Sequence, residues 1–167
     1  MHRAFLLLGS NQHSPLHQLR IAREHLSKED LLILKYSSQI ETVPYGLSNQ
    51  PNFWNQVLLI ETKLDPFALL EASLSIERKM GRIRKEKWGP RIIDLDWLFY
   101  DSLILKTNTL VLPHYDAVNR WFVIHLICEI EPNLVHPVLK KTIKTIYQER
   151  NFPFDYWNNQ SFKYNTR

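Results

Sequence analysis

The sequence predicts an α+β fold: a βαββαβ core with an antiparallel sheet, two helices on one face of it, and further helices at the C-terminal end. Three observations predict it. Apolar and polar residues alternate with period two over residues 32–43, and a second strand-like run follows at 53–62. Two segments open with a capping residue and a proline, Ser14-Pro15 and Asp65-Pro66, and continue with helical apolar spacing. The resulting order, strand, helix, strand, strand, helix, strand, is that of a split βαβ, which packs both helices on one face.

The first strand is expected over Arg3 to Leu8, ending in a turn at Gly9-Ser10-Asn11. Leu16, Leu19, Ala22 and Leu26 then mark one helix face. In the next strand Leu34, Tyr36, Ser38 and Ile40 face one way, and Lys35, Ser37, Gln39 and Glu41 the other, until Pro44 stops it. A loop through Gly46 and Pro51 leads into Phe53 to Thr62, which is expected to pair back as a hairpin. The second helix runs to Met80, with Gly81 as its stop. Its apolar residues fall on two faces, Phe67, Leu70 and Leu74 or Leu69, Ile76 and Met80, and the pattern does not choose between them. Ile92 to Tyr100 is the last clear strand, followed by an extended stretch near Ser102 to Leu112 and helices near 117–130 and 139–150. The length of 167 residues fits a single domain, with a core over about 3–150 and an aromatic, polar tail at 151–167 to which no role is assigned.

Composition excludes several classes. No apolar run approaches the roughly 18 residues of a membrane span, and the N-terminus lacks the pattern of a secretory signal. Cys128 is the single cysteine and reads as a core residue, so a reducing cytoplasm is expected. The four glycines, Gly9, Gly46, Gly81 and Gly89, cannot build a Walker loop or a Gly-x-Gly-x-x-Gly turn. Bound phosphates would therefore be held by Arg, Lys and metal, with little backbone cradling. His13 and His17 are spaced for a shared helix face, but with no third ligand nearby a solvent-facing pair is the preferred reading.

The net charge of +4 is unevenly placed: seven of the 21 Lys and Arg lie between Arg78 and Arg91. This basic loop runs directly into an apolar strand carrying Asp94 and Asp96. Two apart on a strand, the carboxylates point to the same face, where they repel each other and lose hydration. A pair at an exposed strand end, satisfied by nearby Arg, is the plainer explanation. The upstream basic loop favours hard divalent cations, which take one or two carboxylates plus substrate phosphates. Arg82, Arg84, Lys85 and Arg91 are placed to grip triphosphate oxygens, and Trp88 to cover the site or stack on a base. A loop so charged is expected to close over bound nucleotide.

Gly81-Arg82-Ile83-Arg84, followed by Trp88-Gly89-Pro90-Arg91-Ile92-Ile93-Asp94-Leu95-Asp96, resembles the signature of the hydroxymethyldihydropterin pyrophosphokinase family of folate biosynthesis. Leu8-Gly9-Ser10-Asn11 resembles the family's start. Glu41-Thr42-Val43-Pro44-Tyr45-Gly46, Gln50-Pro51 and Phe53-Trp54-Asn55 resemble its pterin region. Pro113-His114-Tyr115, Arg120 and Phe122 resemble a third block, and Glu129-Ile130, Pro132 and His136-Pro137 its end.

The resemblance implies a ferredoxin-like fold and transfer of pyrophosphate from ATP to the hydroxymethyl oxygen of a reduced pterin, with release of AMP. It implies that Asp94 and Asp96 hold two Mg²⁺ ions and that Arg82 and Arg91 assist transfer. Arg84, Lys85 and Trp88 would join His114, Tyr115 and Arg120 in binding ATP. The pterin would lie between Phe53 and Phe122, with Asn55 and the segment Thr42, Val43, Pro44 and Tyr45 reading its edge. The residues agree independently: Phe53 and Asn55 share a strand face, and a flat heterocycle needs one ring for stacking and one amide for its edge. Alone, Phe53 and Phe122 would read as core, and His114 as a turn histidine. Leu74, Leu126 and Glu131 depart from the family pattern, none of them at the Asp pair or its arginines.

The partners expected are the two small-molecule substrates, with no nucleic acid and no membrane, acting on a monomer. An RNA-binding sheet is the rival reading. It lacks an aromatic RNP1-type strand, and an Asp pair would repel a phosphate backbone unless metal is bound. A catalytically dead scaffold is the other rival, against which the intact Asp94, Asp96, Arg82 and Arg91 argue.

Overall fold

The computed structural model describes residues 1–44, 48–83 and 88–150, and the backbone of 164–165. Among the described residues, six strands form one antiparallel sheet. The central strand β1 (His2–Ser10) lies between β4 (Phe53–Thr62) and β5 (Asp94–Tyr100). The far side of β4 is shared by β2 (Leu31–Tyr36) and β3 (Gln39–Thr42). The two-residue strand β8 (Tyr164–Asn165) pairs with the outer edge of β3, so the tail supplies that edge with backbone partners. A small separate ladder joins β6 (Leu105–Lys106) to β7 (Val111–Leu112), after which the Leu112–Pro113 peptide is cis.

Helices α1 (Pro15–Leu26) and α2 (Pro66–Lys79) cover one face of the sheet. Leu19, Ala22 and Leu26 of α1 and Leu69 and Ile76 of α2 pack with Leu6 and Leu8 of β1, Leu58 and Ile60 of β4, and Leu95 and Trp97 of β5. The α2 question left open by spacing is thereby answered: Leu69 and Ile76 face inward, and Phe67 is exposed. Trp97 fastens α2 to β5, its indole N–H donating to Leu69 O (3.1 Å) and Ser73 Oγ (2.7 Å).

Among the described residues the opposite face is covered by the C-terminal helices. Helix α3 (Trp121–Ile130), preceded by a 3-10 turn at Ala117–Asn119, packs with α4 (Ile143–Glu149) on Phe5, Leu7, Val57, Leu59 and Phe99. Cys128 belongs to this second cluster as a half-buried side chain, as expected of a core thiol.

Several local expectations are corrected. The run over 32–43 is two strands, because Ser37 steps out of line: its N–H bonds Val57 O and its Oγ accepts from Val57 N, both at 2.9 Å. The register against β4 also shifts between Ile33 and Lys35. The shift breaks the alternation, and Leu34 and Tyr36 lie exposed instead of inward. Gly9 and Ser10 continue β1 and form no turn. Ser14 occupies the N-cap position of α1 with φ 59°, a left-handed geometry in which its side chain makes no cap bond. Asp65 does cap α2, accepting from Phe67 N and Ala68 N. Gly81, at φ 84°, ends that helix as expected. His13 precedes α1, and His17 pairs with Arg20, so the two histidines form no site.

Candidate active site

The register of the sheet carries the site. Asp94 lies opposite Gly9, Gly9 opposite Asn55, and Asn55 opposite Ile40, so one row crosses β5, β1, β4 and β3 on a single face. The neighbouring rows place Asp96 beside Leu7 and Phe53 beside Thr42 on that same face. This is the face α3 covers at its other end, away from α1 and α2. At two inter-strand steps, Asp94 and Asn55 stand about 10 Å apart.

Gly9 sits between them with no side chain. A Cβ there would come within 3.3 Å of Asn55 Oδ1 and 3.9 Å of both Asp94 Cβ and a Phe53 ring carbon. The bare backbone keeps a strip open between the acidic and the aromatic halves of the face.

Among the described residues the acidic half is a network of four carboxylates and three guanidiniums. Arg82 pairs with Asp94 and, at 2.5 Å, with Glu77. Arg91 Nε lies 3.2 Å from Asp94 Oδ2. Arg120 bridges Asp96 Oδ2 (3.5 Å) and Asp116 Oδ2 (3.1 Å). Burial alone would lower the Arg82 pKa, but the Asp94 and Glu77 charges outweigh it and hold it above the ordinary value. Burial, and then the Asp94 charge, push the Asp96 carboxyl up to about 7 despite Arg120, Arg91 and Arg82. The side chain of Asp96 is still 30% accessible, so an ion and water can reach it.

This donor set fits a hard divalent cation. Asp94 and Asp96 place hard oxygen donors on one strand face, and a cation there would relieve the burial and mutual repulsion that push the Asp96 pKa up. Among the described residues no group of three or more His, Cys, Asp or Glu is arranged to hold a metal; substrate and solvent oxygens would complete a shell begun by two carboxylates.

In the aromatic half, Asn55 is buried and its Nδ2 donates to Thr42 Oγ1 at 2.8 Å. The Phe53 ring is buried, with the Arg91 guanidinium 5.1 Å from its centroid. Phe122 projects from the first turn of α3 and meets Trp121 edge-on at 6.1 Å. Val43, which follows the Phe53 partner Thr42, is exposed, and Pro44 is half-buried.

Asn11 ties the two halves together. Its Nδ2 donates to Gln50 Oε1 and Pro51 O, both at 3.0 Å, and its Oδ1 accepts from Arg91 N at 2.8 Å. Gln50 in turn donates to Trp88 O at 2.7 Å. Trp88 itself is 43% exposed at φ 62°. Tyr45, Arg84 and Lys85 lie outside the described residues.

His114 and Tyr115 stack on each other at 4.7 Å, with Tyr115 exposed. Burial, then the Arg120 charge, lowers the His114 pKa to about 4. Its Nδ1 accepts from Asp116 N at 3.2 Å, leaving Nε2–H as the donor of a neutral ring. The unfolded chain protonates this histidine below its ordinary 6.5 while the native protein does not. Stability therefore falls as pH drops from 6.5 towards 4, by at most about 1.4 kcal/mol per pH unit. Replacing His114 with Gln should flatten that part of the profile in urea titrations; equal slopes for both proteins would contradict the assignment.

Residues 5–132 match the family described as 7,8-dihydro-6-hydroxymethylpterin-pyrophosphokinase (HPPK). The chain belongs to the HPPK family. It is 40% identical over 135 residues to the 2-amino-4-hydroxy-6-hydroxymethyldihydropteridine pyrophosphokinase of Haemophilus influenzae, covering 80% of this chain and 84% of that protein. The enzyme of the same name from Aquifex aeolicus is 38% identical over 155 residues, covering 92% of this chain and 96% of its own. Among solved structures, Plasmodium falciparum HPPK-DHPS superimposes with a TM-score of 0.70 at 17% identity, over 96% of this chain and 45% of that longer one. That likeness establishes the fold. The chain is thus a pyrophosphokinase of the HPPK family.

Two residues of the network escaped sequence reasoning. Glu77 is buried on the last turn of α2 and also accepts Leu95 N (2.9 Å), which reaches β5 between the two aspartates. Asp116 is buried four residues before Arg120. The i, i+4 spacing of Asp116 and Arg120 was a visible signal; for Glu77 there was none, because Arg82 lies five residues on, past the end of the helix, and Leu95 eighteen residues on in β5.

Proposed function

We propose that the chain catalyses Mg²⁺-dependent transfer of pyrophosphate from ATP to the hydroxymethyl oxygen of 6-hydroxymethyl-7,8-dihydropterin, releasing AMP, in folate biosynthesis. The observation that carries this reading is the row Asp94, Gly9, Asn55. It sets a carboxylate pair with its arginines beside an aromatic and amide pocket, across a strip with no side chain.

In this reading Asp94 and Asp96 would hold two Mg²⁺ ions, whose charge would offset that of the triphosphate and favour ionisation of the attacking hydroxyl. Arg82 and Arg91, now paired with Asp94, turn towards the phosphate oxygens and stabilise charge developing in transfer. Arg120, the Nε2–H of His114 and the exposed ring of Tyr115 bind ATP, together with Arg84, Lys85 and Trp88 of the closing loop. The pterin stacks between Phe53, where it displaces the Arg91 guanidinium, and Phe122. Asn55, held by Thr42, reads its edge with the segment Val43, Pro44 and Tyr45.

The hydroxymethyl oxygen attacks the β-phosphorus in line. An O–P bond forms there, the bond from the β-phosphorus to the α,β-bridging oxygen breaks, AMP leaves with that oxygen, and the hydroxyl proton passes to solvent. No dedicated general base is assigned; positioning and electrostatics carry the step. The strand order β5-β1-β4-β3 supports a ferredoxin-like topology. The reading includes one domain over 1–167 acting as a cytoplasmic monomer.

Purified protein with Mg²⁺, ATP and the pterin should yield AMP in proportion to pyrophosphorylated pterin. Release of ADP, or no turnover, would sink the proposal, and salt-sensitive RNA binding without turnover would favour the rival.

A further inference from the structure

Among the described residues two carboxylates hold Arg120, and unequally. Its Nε donates to Asp116 Oδ2 at 3.1 Å, a hydrogen bond, whereas its Nη1 stands 3.5 Å from Asp96 Oδ2, an ion pair at longer range. Asp116 is itself fixed. It is buried, its Oδ1 accepts from Asn119 Nδ2 at 3.0 Å, and its backbone N–H meets His114 Nδ1. A guanidinium is a permanent cation and competes with any metal for the carboxylate it faces. Where it rests decides how much of Asp96 is left for an ion.

We propose that Asp116 is a positioning residue that anchors Arg120 short of Asp96 and so keeps the Asp96 carboxylate available to a divalent cation. The inference rests on the reading of Asp96 as a cation ligand. Without the Asp116 charge, the guanidinium shifts towards Asp96 and competes more strongly for the metal site. Asp116 touches no reacting atom in this account; it acts through Arg120.

The test is Mn²⁺ binding, measured by calorimetry and by loss of the free-ion electron paramagnetic resonance signal, with α,β-methylene-ATP present so that no turnover occurs. Asp116→Asn should weaken Mn²⁺ binding about tenfold, the effect of an ion-pair difference of about one pKa unit. Asp116→Glu, which keeps the charge, should stay within about threefold of the parent. In an Arg120→Gln background the competitor is gone, and Asp116→Asn should then change Mn²⁺ affinity less than twofold.

An equal effect of Asp116→Asn in both backgrounds, no effect in either, or a Glu variant worse than the Asn variant would each overturn the proposal. The last is the pattern expected of packing alone. If Asp116→Asn does not fold, Asp116→Ser takes its place in every comparison. Asp96→Asn separates the two levels. If it leaves Mn²⁺ binding intact, the cation-site reading fails; if it abolishes binding while Asp116→Asn has no effect, only the role of Asp116 fails.

Discussion

Asp96→Ala is expected to lower turnover on the order of a thousandfold while leaving the fold intact. Loss of metal-mediated charge stabilisation is worth several kcal/mol of barrier, and each 1.36 kcal/mol is a factor of ten. The fold should survive because this carboxylate is a burden to the empty protein. Burial and the Asp94 charge raise its pKa to about 7, so its charged form is disfavoured relative to the unfolded chain. Among the described residues its ion-pair partner is Arg120, at the long distance of 3.5 Å, and Asp116 continues to hold that guanidinium. At pH 8 the metal-free variant should therefore melt no lower than the parent. Full activity in a folded Asp96→Ala protein would remove the metal assignment.

Arg82→Met is expected to damage stability as well as activity. The Arg82 side chain is 11% exposed and lies between Glu77, 6% exposed, and Asp94, 20% exposed. Removing the guanidinium leaves Glu77 buried, with Leu95 N–H donating to it. A buried carboxylate that loses its guanidinium partner in this way costs about 3 kcal/mol. For a chain of this size that is a fall of about 6–12 °C in Tm. The double variant Arg82→Met, Glu77→Gln should recover most of the loss, since the buried negative charge is gone. Calorimetry on both proteins distinguishes the outcomes: a Tm within a degree or two of the parent for Arg82→Met alone would mean that the buried pair adds little. Activity should remain low in the double variant even where stability returns, because the cation facing Asp94 is absent in both.

The contrast between these residues explains what was legible beforehand. Asp94 and Asp96 were visible because a strand repeats every two residues, so their shared face follows from spacing alone. Phe53 and Asn55 were visible on the same ground. Arg82 and Arg91 were visible as members of a basic loop, but not as partners of the same Asp94 from its two sides. The break at Ser37 was not legible, since its bonds to Val57 join positions twenty residues apart. The exposed Leu34 and Tyr36 followed from the same register shift, which an alternating pattern cannot announce.

The sequence by itself determined the antiparallel α+β order, the Asp94 and Asp96 pair, the basic loop before it and the family to which they belong. These rest on local spacing, on capping residues and on matches in order along the chain. Only the tertiary structure decided that Asp94, Gly9 and Asn55 form one row, that Glu77 shares Arg82 with Asp94, and that Asp116 shares Arg120 with Asp96. The physical reason is that each of these depends on strand register and helix placement. Those are set by how two hydrophobic clusters pack on opposite faces of the sheet, and that packing is a sum over residues far apart in the chain.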